Sequence, residues 1–123
     1  MSIELKFKEL EAYLFVEASG PFTNSSVKQA IKAVRDEADA LECTRILIDA
    51  RKVSEPDVQL TRYYTGEYFA EFLPQPFKVA LIKRLDDTDR FTETVAVNRG
   101  AQYWVFSDEE TATHWLLKKV SYL

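Results

Sequence analysis

Glycine occurs only three times in the 123 residues, at Gly20, Gly66 and Gly100. Glycines so far apart cannot form G-x-G-x-x-G or a phosphate loop, which need several at close spacing to let backbone approach a phosphate. G-x-S-x-G and H-E-x-x-H are absent as well. The single histidine, His114, has no identifiable partner for a triad or metal site and is expected on the outside of a helix. One cysteine, Cys43, excludes an internal disulfide and any cysteine-based metal cluster. It suits a reducing compartment and reads as a small, partly buried apolar residue. Basic residues are the minority, with 16 Lys and Arg against 20 Asp and Glu, a formal net charge of -4 and a pI of about 5.1. That balance repels a polyphosphate, so no nucleic-acid partner is expected. No apolar run approaches the roughly 20 residues of a membrane span. The opening MSIELKFKELEAYLFV alternates charge with apolar residues and lacks a signal-peptide core. The expectation is a cytoplasmic protein with no integral membrane segment, no metal and no cofactor.

What remains is an ordinary globular composition, 46% hydrophobic and 29% charged, on a length that suits one domain spanning residues 1–123. The chain is organised around Arg45 to Ala50, RILIDA, whose unbroken Ile46-Leu47-Ile48 suits a strand buried on both faces. Ile3, Leu5 and Phe7 alternate with charge, and Glu11 to Ala18 follows closely, so the two form an antiparallel hairpin. Gly20-Pro21 is expected to break the second strand. A helix from about Thr23–Ser25 to Glu42 carries Val27, Ala30, Ile31, Val34, Ala38 and Leu41 in one stripe. Its charges form a solvated face. Phe77 to Lys83 reads as another buried strand and Gln102 to Phe106 as the last. Between them a helix from about Asp89 to Asn98, with Phe91, Val95 and Val97 inward, stops at Arg99-Gly100. Asp86, Asp87 and Asp89 lack the glycine and terminal glutamate of a calcium loop and read as loop and cap. Ser107 and Glu110 have the spacing of a capping box ahead of a final helix with Ala112, Trp115, Leu116 and Val120 on one face. The order β-β-α-β-α-β-α-β-α predicts an α/β fold, a mixed and mostly parallel sheet opened by a hairpin.

The helix expected from Pro56 or Asp57 to Leu73 is unusual. Val58, Leu60, Tyr63, Tyr64, Tyr68, Phe69, Phe72 and Leu73 spread over more than half its circumference instead of one stripe. Neighbouring elements wrap it on two sides, or part of its aromatic surface meets a partner or ligand.

The opening hairpin, the strand ending ILIDA, the strand KVALI, the helix ending Asn-Arg-Gly and the close WVFSDEETATHWLL together resemble the SpoIIAA-like proteins of the STAS superfamily. Phe106, Glu110, Ala112, Trp115 and Leu116 carry the most specific part of the likeness. The resemblance covers nearly the whole chain and implies a small cytoplasmic α/β domain without cofactors, in some cases similar to the lipid-binding CRAL-TRIO fold. It also implies, for anti-anti-sigma factors, an Asp-Ser-Ser-Gly-type motif with a phosphorylated serine after the central strand. Here that region reads Val53-Ser54-Glu55-Pro56-Asp57-Val58, without the paired serines or the glycine. Phosphate on Ser54 would face Glu55 and Asp57, with Arg51, Lys52 and a helix N-terminus to offset them.

Two functions follow as expectations. The first is a non-enzymatic regulatory or protein-interaction domain, binding through the loop Arg51 to Asp57 and the aromatic helix; its surface comprises Ser54, Asp57, Tyr63, Tyr64, Tyr68, Phe69, Phe72 and Trp104. The partner is another protein or a second copy of the chain. The second is a carrier or sensor of an apolar small molecule held between that helix and the sheet, with Tyr64, Tyr68, Phe69, Phe72 and Trp104 lining the site.

Overall fold

A computed structural model describes residues 2–56, 59–84 and 87–118, with the backbone alone at 55, 56, 59 and 87–92. Asp57, Val58, Asp86, Val120 and the side chains of Asp87, Asp89 and Phe91, all singled out above, lie outside the described residues. Five strands, β1 (Glu4–Glu9), β2 (Leu14–Phe22), β3 (Arg45–Pro56), β4 (Lys78–Ile82) and β5 (Gln102–Phe106), form one sheet in the order β1-β2-β3-β4-β5. β1 pairs antiparallel with β2, and every later pairing is parallel. The helices are α1 (Asn24–Ala40), α2 (Gln59–Phe72), α3 (Asp87–Asn98) and α4 (Glu109–Leu117).

The strand order explains where the helices go. Crossovers of one hand that all step in the same direction along a sheet leave their helices on the same face. Val34 of α1, Phe69 of α2 and Ala96 of α3 accordingly share a core with Ile46, Ile48, Val79, Leu81, Tyr103 and Val105. Side chains alternate along a strand, so Leu47, Ala80, Ile82 and Phe106 face the other way and pack under α4 through Ala112 and Leu116. RILIDA thus sits in the middle of the sheet and is buried on both sides, as its apolar run predicts.

α1 begins at Thr23, whose hydroxyl accepts the Ser26 N–H at 3.2 Å while the Ser26 hydroxyl accepts the Thr23 N–H at 2.9 Å, a reciprocal cap. At its far end Glu42 takes φ 53 and Cys43 N–H reaches the Ala38 carbonyl at 2.9 Å. That closes the helix in the manner usually left to glycine. Gly100, at φ 97, follows α3 as expected.

Four local expectations are corrected. Gly20-Pro21 does not end β2; the strand continues to Phe22 alongside an extended β3, with register shifts at Glu17/Ser19 and Gly20/Phe22. Irregular pairing of that kind accommodates a proline, which has no N–H for the ladder. Gly20 is required there: φ is 125, and a Cβ would lie 3.0 Å from the Ser2 carbonyl oxygen and 3.2 Å from the Ile3 Cα. The supposed loop Arg51 to Pro56 is likewise the second half of β3. α4 is capped by Asp108, whose carboxylate accepts the Thr111 N–H at 2.7 Å, rather than by Ser107. Among the described side chains of α3, Glu93 and Ala96 are buried and Val95 is half-buried, while Val97 is 45% exposed.

Candidate functional site

α2 lies on the sheet between α1 and α3, and that position accounts for most of its apolar girth. Phe69 is buried and stacks on Tyr103 of β5 with ring centroids 4.4 Å apart. Tyr68, half-buried, donates its hydroxyl to Asn24 Oδ1 of α1 at 2.7 Å. On the opposite side the Tyr63 hydroxyl accepts from Arg99 Nη2 at 2.9 Å, and the same guanidinium meets Glu67 at 3.2 Å. Phe72 packs against the core, and its carbonyl accepts from Arg35 Nη1 of α1 at 2.7 Å. Leu60, 57% exposed, and Tyr64, 36% exposed, are left outside. Four residues apart, they form a short apolar ridge on one side of the helix. Tyr64 is shouldered by Tyr63 at 5.5 Å and Tyr68 at 6.4 Å between centroids.

Trp104 does not join this group. It pairs in register with Ala80, which faces α4, and the alternation of β5 turns it away from Tyr103 and α2. The indole is 42% exposed on the far face of the sheet.

Beneath α2 is a cavity of about 80 Å³ walled by α1, α2 and the sheet. Its lining is chiefly aliphatic, including Ile31 and Val34 of α1 and Ile48, Leu81 and Val105 of the strands. Phe69 contributes from α2, whereas Tyr64, Tyr68, Phe72 and Trp104, all expected to line a ligand site, do not. Tyr68 turns to α1, Tyr64 to solvent and Trp104 to the other sheet face, while Phe72 packs elsewhere on the core. Two charged residues that sequence reasoning missed do line it, Arg62 and Lys83. Arg62, Thr65 and Phe69 recur at three- and four-residue spacing on the sheet-facing side of α2, and Arg62 is only 4% exposed. Lys83 follows directly on β4 and places its ammonium 5.7 Å from the centroid of the Phe22 ring. The usable signal was the absence of a clean apolar stripe on α2, which left room for charge on its inner side.

The cavity and the end of β3 share the carboxyl end of the parallel strands, the usual location of α/β sites. The exposed Ser54 accepts the Phe22 N–H at 3.2 Å and so stitches β3 to β2 beside the register shift. Close by, Arg51 grips Asp49 with two side-chain bonds, Nε to Oδ1 at 2.9 Å and Nη2 to Oδ2 at 2.7 Å. Those bonds, opposed by burial and aided by the Arg51 backbone N–H, hold the Asp49 carboxyl below its ordinary value. A carboxyl depressed on folding adds stability above the ordinary carboxylate range and loses it as pH falls through the lowered value. Asp49→Asn should therefore cost stability at pH 7 and little at pH 3, measured by urea denaturation at both. An equal cost at both pH values would mean that the charge of Asp49 contributes nothing.

His114 is exposed on α4, and Cys43 is half-buried with its thiol donating to the Arg45 carbonyl at 3.2 Å. Among the described residues no group of three or more His, Cys, Asp or Glu side chains is placed to hold a metal ion. No helix among them is long and apolar enough to cross a membrane.

No protein-family model and no curated protein matches the sequence. Solved structures do. A protein of the DUF3478 family with a SpoIIAA-like fold, from Shewanella loihica PV-4, aligns over 94% of each chain at 18% identity and a TM-score of 0.60. An anti-sigma factor antagonist from Mycobacterium paratuberculosis aligns over 94% of each chain at 16% identity and a TM-score of 0.63.

Proposed function

We propose, for a chain with the SpoIIAA-like fold, a non-enzymatic regulatory role exercised by binding another protein through the ridge of α2 and the neighbouring end of β3. The observation that carries this reading is the exposed pair Leu60 and Tyr64, large apolar side chains left outside on a helix whose other rings are engaged by α1, α3 or the sheet. The likeness to an anti-sigma factor antagonist supports the same direction. Leu60, Tyr63, Tyr64 and Ser54 form the proposed contact. Phe69 is a scaffold residue here, since a buried ring cannot meet a partner.

A photo-crosslinking residue at position 64 should capture one discrete partner in the source cells, and the same residue at exposed Lys32 of α1 should not. Leu60→Asp, which puts charge on the ridge, should abolish the adduct. Identical adducts from both positions would remove the ridge from consideration. An adduct between two copies of the chain, with mass rising with concentration in sedimentation, would replace the separate partner by a homodimer.

The cavity favours a second reading, a small carrier or sensor of an apolar ligand held under α2. Its apolar walls suit such a molecule.

A further inference from the structure

We propose that the cavity beneath α2 binds a short-chain monocarboxylate, with the carboxylate at Arg62 and Lys83 and the tail among Ile31, Val34, Phe69 and Val105. This rests on the second reading above and narrows it to a chemical class. The first ground is the composition of the walls, which bring two cations, one from α2 and one from the end of β4, to a space otherwise bounded mainly by aliphatic and aromatic side chains. An amphiphile with one anionic end matches both parts. A guanidinium carries five N–H donors and an ammonium three, so both can serve a carboxylate alongside the contacts they already make. Arginine's planar fork in particular fits a carboxylate with two parallel bonds. A second negative charge would have to be desolvated against apolar walls, at a cost that favours a monoanion.

The second ground is size. About 80 Å³ is several times the roughly 10–15 Å³ that a cavity needs to hold one water, room for a small handful of heavy atoms. A tail of about three to five carbons fills that space, allowing for its partly open side. A long acyl chain exceeds it unless α2 lifts from the sheet. The third ground is position, since Arg62 in the first turn of α2 and Lys83 after β4 both line the cavity at the carboxyl end of the parallel strands.

The test is titration of the full chain with butyrate, pentanoate, hexanoate and dodecanoate and with the matched primary alcohols, followed by calorimetry and amide chemical shifts. The acids should bind with affinity rising about fourfold per added methylene until the cavity is full. Dodecanoate should gain nothing over hexanoate, and each alcohol should bind at least about tenfold more weakly than its acid, a gap of about 1.4 kcal/mol. Shifts should centre on Thr65, Phe69 and Val105. Lys83→Gln should narrow the gap between acid and alcohol while keeping the dependence on chain length. Arg62→Lys, which retains charge, serves as the second variant should removal of a buried group prevent folding. Ala30→Phe, which fills the cavity from α1, should abolish binding of every probe.

Equal binding of acids and alcohols would overturn the carboxylate assignment and leave the carrier reading standing. Affinity that keeps rising to dodecanoate would overturn the short chain. Binding that survives Ala30→Phe would place the molecule elsewhere and overturn the proposal. If none of the probes binds, the proposal falls, and the carrier reading is then judged on neutral apolar probes such as benzene and toluene.

Discussion

Phe69→Ala should destabilise the protein by about 3–5 kcal/mol, the usual cost of truncating a buried phenylalanine, whereas Tyr64→Ala should fall within about 0.5 kcal/mol of the native value. Both residues belong to the same aromatic-rich helix and look equivalent in sequence. Phe69 is 4% exposed and stacks on Tyr103 at 4.4 Å, so its removal opens a hole where α2 meets the sheet. It also borders the existing cavity, so the new space joins the old and the surroundings have little to collapse onto. Tyr64 leaves more of its ring in water and loses only side contacts with Tyr63 and Tyr68. Urea denaturation read by circular dichroism measures the difference, and the Phe69 variant should melt on the order of 15 °C lower. Similar costs for the two substitutions would contradict the seating of α2 described above.

The second large effect is expected at Glu93. Its side chain is 2% exposed, and Oε2 accepts the Val105 N–H at 2.6 Å. β5 is the last strand of the sheet, and this carboxylate from α3 takes a backbone donor that no further strand among the described residues is present to bind. Such edges otherwise invite pairing with another chain. Glu93→Ala should cost about 1–3 kcal/mol through the orphaned donor and should promote self-association. Glu93→Gln keeps an acceptor oxygen of the same reach and should recover much of the loss. Denaturation curves and sedimentation of the two variants test this; equal stability and equal mass for both would show that the bond protects nothing.

Periodicity made some elements legible before any coordinates. Val27, Ile31, Val34 and Ala38 fall on one side of α1, and all are buried. β4 and β5 appear within a residue of their expected bounds because their apolar runs lie between clear breaks. β2 and β3 extend beyond expectation for a different reason. Glycine, proline and charged residues are poor strand formers alone, yet Ser19↔Lys52 and Gly20↔Val53 pair because each strand supplies the other's hydrogen-bond partners. Propensity is local, and pairing is not.

The candidate site divides in the same way. That α2 would be unusual was written in its tyrosines and phenylalanines, whose number exceeds what one stripe can hold. Which of them would remain outside was not, because the answer depends on Asn24 receiving Tyr68, Arg99 receiving Tyr63 and Tyr103 receiving Phe69. The side taken by Trp104 is not legible either, since alternation fixes that it opposes Tyr103 but not which side α2 occupies. Arg62 and Lys83 give no signal of lining a cavity, because a charged residue ordinarily seeks water.

By itself the sequence determined the class of fold, the order of its elements and the scarcity of familiar catalytic motifs, since composition and hydrophobic period act over a few residues at a time. Only the tertiary structure decided that α1, α2 and α3 share one face, that Leu60 and Tyr64 stay in solvent, and that two cations meet an apolar hollow under α2. Those outcomes depend on contacts between residues distant in the chain, and such contacts exist only once the sheet has chosen its order.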